Sequence, residues 1–291
     1  MTRQKTRMDS NSPGIWDEIA GEKPFGLMGI LNLTPDSFYD GGRLQSVQCA
    51  LAHVEKLLNS GTDILDLGAE STRPGSASLP PHMEKNRLLP VFLAIRNEFP
   101  DAIISVDTWH AETARFFLAN GAAIINDVSA CFWDEALGEV LADAKPGYVL
   151  MHSQGRPSFM QKMPLYKNVV DEVRAFFQLA LDRLASFGLP EKNIVLDPGI
   201  GFGKNLAHNL ALMANMDVFL EFGRPLLAGI SMKSWLGNLL DMGLNERSNP
   251  TATASALLWQ KGVFWHRIHE PWVVRPALEL ACALDGTRNM H

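Results

Sequence analysis

Eight short apolar runs recur along the chain, each followed by a Gly- or Pro-containing loop and then a segment of helical period. They predict strands at 25–31 (FGLMGIL), 63–67 (DILDL), 102–106 (AIISV), 122–126 (AAIIN), 147–151 (GYVLM), 193–196 (NIVL), 226–230 (LLAGI) and 263–268 (VFWHRI). The runs lack polar alternation, as expected of parallel strands buried on both faces. Between them, Val47, Ala50, Leu51, Val54, Leu57 and Leu58 follow the i, i+3, i+4, i+7 spacing of an amphipathic helix. Val169, Val170, Val173, Phe176, Phe177, Ala180, Leu181 and Leu184 do so more strongly. "NSG" at 59–61, "NG" at 120–121 and "FG" at 187–188 mark helix ends. Eight such units predict an α/β fold, a single-domain (β/α)8 TIM barrel over 21–287, after a flexible N-terminal segment at 1–20. A doubly wound sheet would carry G-x-G-x-x-G after its first strand, and "GILNLTPDSF" is not that.

In a barrel, chemistry sits where strands end. Here the strand ends deliver Asn32, then "ESTRPG" at 70–75, Asp107, Asn126-Asp127, Met151-His152, "DPGIGFGK" at 197–204, "SMKS" at 231–234, and Arg267 with His269. Any one alone reads better as a helix cap, a turn or a loop contact. Their coincidence on one rim predicts a site, in three groups. Asp107, Asn126 and Asp197 suit a flat heterocycle with amino and ring N–H donors. Arg73, Arg267 and His269 suit a phosphate or pyrophosphate, with Asn32 offered to a hard metal such as Mg2+. Lys233 with Phe202, Phe38 and Pro74 makes an apolar rim bearing one cation, fit for a small aromatic body. Gly41 and Gly42 predict that "TPDSFYDGG" hinges as a flap.

Composition narrows the classes. The chain has 291 residues, 46% of them hydrophobic, enough for a large core. Its net charge of −6 points to no nucleic acid. Cys49, Cys131 and Cys282 are scattered and odd in number, against a disulfide framework or structural zinc, and read by default as buried small residues. The N-terminus has no apolar h-region, and no run approaches the roughly 18 apolar residues of a membrane span. A cytoplasmic protein with no membrane partner is the expectation. H-E-x-x-H and G-x-S-x-G are both absent, and a Schiff base on Lys233 would leave the anion-binding set unexplained.

The ordered motifs resemble those of the dihydropteroate synthase family over residues 24–285. They are "GILNLTPDSFYDGG", "ESTRPG", "SVDT", "GAAIINDVSA", "LMHSQGRPSFMQ", "LDPGIGFGK" with "HNL", "GISMKS" and "RIHE". The resemblance implies a (β/α)8 barrel and a transferase joining 6-hydroxymethyl-7,8-dihydropterin pyrophosphate to p-aminobenzoate, with Mg2+, commonly as a homodimer through its last helices. By matching position it implies pterin binding by Asp107, Asn126, Met151, Asp197 and Lys233, and pyrophosphate binding by Arg73, Arg267 and His269. It implies an aminobenzoate pocket of Phe38, Thr72, Pro74, Phe202, Ser231 and Lys233, and a metal contact at Asn32. The family's usual "SRKS" reads "SMKS" here, with Met232; "LMHM" reads "LMHS", with Ser153; and Glu270 follows the last His in place of Asp. A pterin-binding methyltransferase, or a paralogue that binds pterin without the synthase reaction, are the alternatives. The first has no pyrophosphate to hold and would not need "ESTRPG" or the Arg267/His269 pair.

Overall fold

The computed structural model describes residues 13–33, 43–69, 79–155 and 164–288. Eight parallel strands close into a barrel in sequence order. They are β1 (Gly26–Asn32), β2 (Ile64–Gly68), β3 (Ile103–Asp107), β4 (Ile124–Asp127), β5 (Gly147–Met151), β6 (Ile194–Asp197), β7 (Leu226–Ala228) and β8 (Val263–Ile268). The (β/α)8 barrel expected from the pattern is therefore the fold. β7 is shorter than its apolar run suggested, and the β7–β8 register is irregular at Leu226/Leu227.

Around the barrel lie α1 (Ile15–Ala20), α2 (Arg43–Asn59), α3 (Pro81–Glu98), α4 (Ala111–Ala119), α5 (Ala136–Ala144), α6 (Val169–Phe187), α7 (Leu206–Ala214), α8 (Ser234–Leu240), α9 (Ser248–Trp259) and α10 (Pro271–Arg288). The period-3.6 residues do what their spacing requires. In α6, Val169, Val173, Phe177, Ala180 and Leu184 are buried. Its N-cap Asn168 accepts from the backbone N–H groups of Val170 and Asp171, and Gly188 ends it at φ 96°, a left-handed turn that glycine adopts without strain.

Side chains along a strand alternate between barrel interior and helix layer. Leu65, Leu67, Ile104, Val106, Ile125, Tyr148, Leu150 and Leu196 pack outward against the helices. Met28, Ile64, Ile124, Val149, Val195, Leu227 and Trp265 fill the lower interior. Two residues further along the same strands most inward positions turn polar: Ile64 is followed by Asp66, Ile124 by Asn126, Val195 by Asp197 and Trp265 by Arg267, while Val149 is followed by the apolar Met151. The barrel is thus apolar at its base and polar at its C-terminal rim.

The N-terminal segment corrects one expectation. Residues 1–20 were expected to be flexible, yet 15–20 form α1, which caps the barrel base. Trp16 is buried, meets Trp265 edge-on at 5.3 Å, and donates its indole N–H to the Asn193 carbonyl at 2.7 Å. A barrel end exposes apolar interior, and one large indole covers it. The cysteines also differ from their default reading: Cys131 is buried, Cys282 half-buried and Cys49 exposed. No helix among the described residues is long and apolar enough to cross a membrane.

Candidate active site

Strand register assembles the rim. Asn32 lies opposite Gly68, Gly68 opposite Asp107, and Asp107 opposite Asn126. Met151 lies opposite Asp197. A methyl group on Gly68 would stand 3.5 Å from both Asn32 Oδ1 and Asp107 Cβ, so these two side chains flank the bare glycine.

Arg267 is the centre of the polar layer. Its Nε donates to Asp66 Oδ2 at 2.6 Å and its Nη2 to Asp107 Oδ2 at 2.8 Å. Asn126 Nδ2 donates to the same Asp66 oxygen at 3.0 Å. Across the barrel mouth, a methyl group on Gly229 would stand 3.7 Å from Asp197 Oδ2, 3.8 Å from Lys233 Nζ and 3.9 Å from Arg267 Cδ. These three groups therefore converge over a strand end that carries no side chain. Asp197 Oδ1 accepts from the Gly199 N–H at 2.7 Å. Asp107 Oδ1 and Asp197 Oδ2 make no hydrogen bond among the described residues and are available as acceptors.

Burial sets the protonation behaviour. It pushes Asp107 up to about 7, against the pull of Arg267 and with the repulsion of Asp66 adding to it. It raises Asp197 as well, opposed by Lys233. Burial lowers Lys233 to about 7, opposed by Asp197. A carboxylate and an ammonium poised near neutrality in a cleft, beside a second carboxylate shifted upward, are a recurrent mark of a functional site.

The loop after β6 is held from below. Lys204, buried, donates to the carbonyls of Gly199 and Phe202 at 2.9 Å each and to His152 Nδ1 at 2.9 Å. Burial, helped by Lys204, lowers His152 well below the ordinary imidazole value, so the ring is neutral and accepts. Gly199, at φ 70°, leaves no room for a Cβ, which would fall 1.9 Å from the His152 carbonyl oxygen. The loop so fixed presents the Ile200 carbonyl to Lys233 Nζ and the Phe202 ring 4.3 Å beneath that ammonium. On the other side Ser231 Oγ and His269 Nδ1 share a 2.9 Å hydrogen bond.

This is the chemistry of a flat, donor-rich ring held by carboxylates, next to cations that suit an anionic leaving group. A sequence profile described as "Pterin binding enzyme" matches residues 28–269. The chain belongs to the pterin-binding enzyme family. It is 41% identical to the dihydropteroate synthase of Escherichia coli (strain K12) over 261 residues, 90% of this chain and 91% of that one. It is likewise 41% identical to the Haemophilus influenzae dihydropteroate synthase over 244 residues, 84% and 88% of the two chains. A Yersinia pestis dihydropteroate synthase solved with a sulfonamide drug superposes with a TM-score of 0.84 at 36% identity, covering 90% of this chain and 94% of that one. The Xanthomonas albilineans dihydropteroate synthase solved with 4-aminobenzoic acid gives a TM-score of 0.83 at 36% identity, over 89% and 93%.

Within this pterin-binding barrel, Asn32, Asp107, Asn126, Met151, Asp197, Phe202, Ser231, Lys233, Arg267 and His269 all stand at the C-terminal rim. Arg267, expected with His269 in an anion group, donates to two carboxylates, Asp66 and Asp107. Phe38, Thr72, Arg73 and Pro74, with the flap at 34–42, lie outside the described residues. Asp127 follows its bland reading. It points outward and accepts from the N–H groups of Ser129 and Cys131 and from the Tyr148 hydroxyl. Asp66 was missed, although an acid in the middle of the apolar run "ILDLG" was the available signal. Lys204 was missed too, since nothing local distinguishes a buried lysine from an exposed one.

Proposed function

We propose that this barrel condenses 6-hydroxymethyl-7,8-dihydropterin pyrophosphate with p-aminobenzoate to give 7,8-dihydropteroate and pyrophosphate. The enzyme is a transferase of folate biosynthesis. The observation that carries the reading is the convergence of Asp197, Lys233 and Arg267 over Gly229, beside Asp107 and Asn126. The free oxygens of Asp107 and Asp197 and the Asn126 amide accept from the amino and ring N–H groups of the pterin, and Lys233 donates to its acceptor edge. Met151 lies under the ring. Arg267 Nη1, which makes no hydrogen bond among the described residues, His269 and Arg73 take the pyrophosphate. Phe38, Thr72, Pro74, Phe202, Ser231 and Lys233 form the aminobenzoate side.

The bond between the pterin methylene and the pyrophosphate oxygen breaks with its electron pair leaving on oxygen. Arg267 and His269 balance that charge. The methylene cation is conjugated with the ring, and the carboxylates at 107 and 197 favour it electrostatically. The arylamine lone pair then forms the C–N bond and the nitrogen loses a proton. No side-chain nucleophile is required.

Among the described residues no cluster of acids, histidines and cysteines could cage a metal, and Asp66 and Asp107 are engaged with Arg267. Asn32 Oδ1 fits the other mode of Mg2+ binding, one protein oxygen with waters and substrate phosphates. When bound there, the ion supplies charge neutralisation to the pyrophosphate. A homodimer through the last helices belongs to the same proposal, supported by Leu257 of α9 and Leu280 of α10, 60% and 61% exposed. So does a cytoplasmic location, supported by three cysteines that remain thiols. A coupled pyrophosphate assay tests the reaction: release must depend on the pterin pyrophosphate and rise with p-aminobenzoate as 7,8-dihydropteroate forms, and release that p-aminobenzoate does not raise, or none, overturns it.

A further inference from the structure

Above the polar layer stands a second apolar cluster, separate from the barrel base: Trp109, Val128, Met151 and Phe202, with Trp133 packed against it. Its members come from four different strand ends, each beside a residue of the site. Trp109 follows Asp107 by two residues and Val128 follows Asn126 by two. Met151 lies opposite Asp197, and Phe202 sits under the Lys233 ammonium.

The direction of Trp109 is set by its neighbours. The strand ladder runs one residue past Asp107, because the Thr108 N–H donates to the Asn126 carbonyl at 3.0 Å. Thr108 points outward, its hydroxyl donating to Glu84 of α3 at 2.8 Å. His110 also points outward, its Nε2 3.1 Å from the Leu79 carbonyl. Strand alternation turns the residue between them inward, on the same side as Asp107. The indole is then fixed in place. Trp133 meets it edge-on at 5.1 Å, and the loop carrying Trp133 is tied down where the Ala111 N–H donates to Asp134 Oδ2 at 2.7 Å. A large, rigid aromatic thus packs with Val128, Met151 and Phe202 at the strand ends that carry the acceptors of the site.

We propose that Trp109 is a substrate-contacting residue of this site, its indole packing beside Met151 and Val128 against the bicyclic ring that Asp107, Asn126 and Asp197 hold. The inference rests on the proposed pterin substrate and adds to it a residue that packs on the ring and excludes water from its hydrogen bonds. Removing the indole should weaken the pterin far more than the aminobenzoate, which meets the cluster only through Phe202.

The test is calorimetry of 6-hydroxymethyl-7,8-dihydropterin pyrophosphate with the full chain, its Trp109→Ala and Trp109→Phe variants, and Trp133→Phe as a neighbour control. Trp109→Ala should raise Kd about tenfold, the scale of a lost aromatic contact, with Phe restoring most of it and KM for p-aminobenzoate changing much less. Tryptophan emission provides a second readout that needs only the mild Phe variant. Pterin should quench the wild-type protein strongly and Trp109→Phe much less. Equal affinity in Trp109→Ala, or equal quenching in Trp109→Phe, overturns the role of Trp109 while leaving the pterin reading intact. Failure of the wild-type protein to bind the pterin overturns both.

Discussion

Arg267 and Asp66, 201 residues apart in sequence, meet at 2.6 Å inside the barrel. The same guanidinium reaches Asp107 at 2.8 Å, so one part-buried cation holds two buried carboxylates in place. Removing the cation leaves both uncompensated. Arg267→Met should therefore cost about 3–5 kcal/mol of stability near neutral pH and abolish activity. Asp66→Asn keeps the shape and one charge pair, and should cost only about 1–3 kcal/mol. Chemical denaturation of both variants measures the difference. Equal and small losses would show that the two carboxylates do not depend on Arg267.

The ligand-free site should be least stable near neutrality. Asp107 is raised from 3.8 to about 7, so its contribution is fully present below pH 3.8 and is lost as pH rises through 7. Lys233 is lowered from 10.5 to about 7, so its contribution is fully present above pH 10.5 and is lost as pH falls through 7. Both groups are charged most expensively where their ranges meet. Thermal unfolding across this range should show a dip near pH 7, removed in the double variant Asp107→Asn, Lys233→Met. A profile of the same shape in that variant would assign the dip elsewhere.

Gly229 should behave as part of the pocket rather than of the fold. A methyl there meets only ordinary contacts, the nearest at 3.7 Å, whereas a branched side chain enters the space between Asp197, Lys233 and Arg267. Gly229→Ala should fold and retain activity. Gly229→Val should fold but lose about a hundredfold or more in kcat/KM, the scale of a ligand displaced by an ångström. Steady-state kinetics with both substrates, beside melting curves, distinguishes the two effects.

Met232 occupies a left-handed backbone position at φ 59°, and the guanidinium of Arg247 donates to its carbonyl at 3.2 Å. A positive charge is already present next to the position where the family carries arginine. Met232→Arg should leave activity similar or raise it. A large loss in kcat/KM would mean that the thioether has been built into a different pocket. Met232→Gly should stabilise by relief of the left-handed strain, worth about 1–2 kcal/mol, offset in part by glycine's greater unfolded-state entropy.

The barrel and the composition of its rim were legible along the chain because both depend on local patterns. Continuous apolar runs of strand length, interleaved with helical periods, leave a parallel closed sheet as the economical way to bury both faces. Polar residues at the end of each run must then share one end of it. Tertiary structure alone decided how those residues meet. Asp66 and Arg267 become partners because strands 1, 2 and 8 are neighbours in a closed barrel, a relationship that sequence distance hides. Lys204 becomes a buried scaffold because four acceptors, the ring nitrogen and carbonyl of His152 and two loop carbonyls, close around its amine in space. Trp16 becomes the plug of the barrel base because the base is an apolar opening that exists only once eight strands have closed. Trp109 turns inward because its two neighbours are hydrogen-bonded outward. Periodicity along a chain specifies which face a residue can use, while burial, charge pairing and pKa depend on what closes over that face in three dimensions.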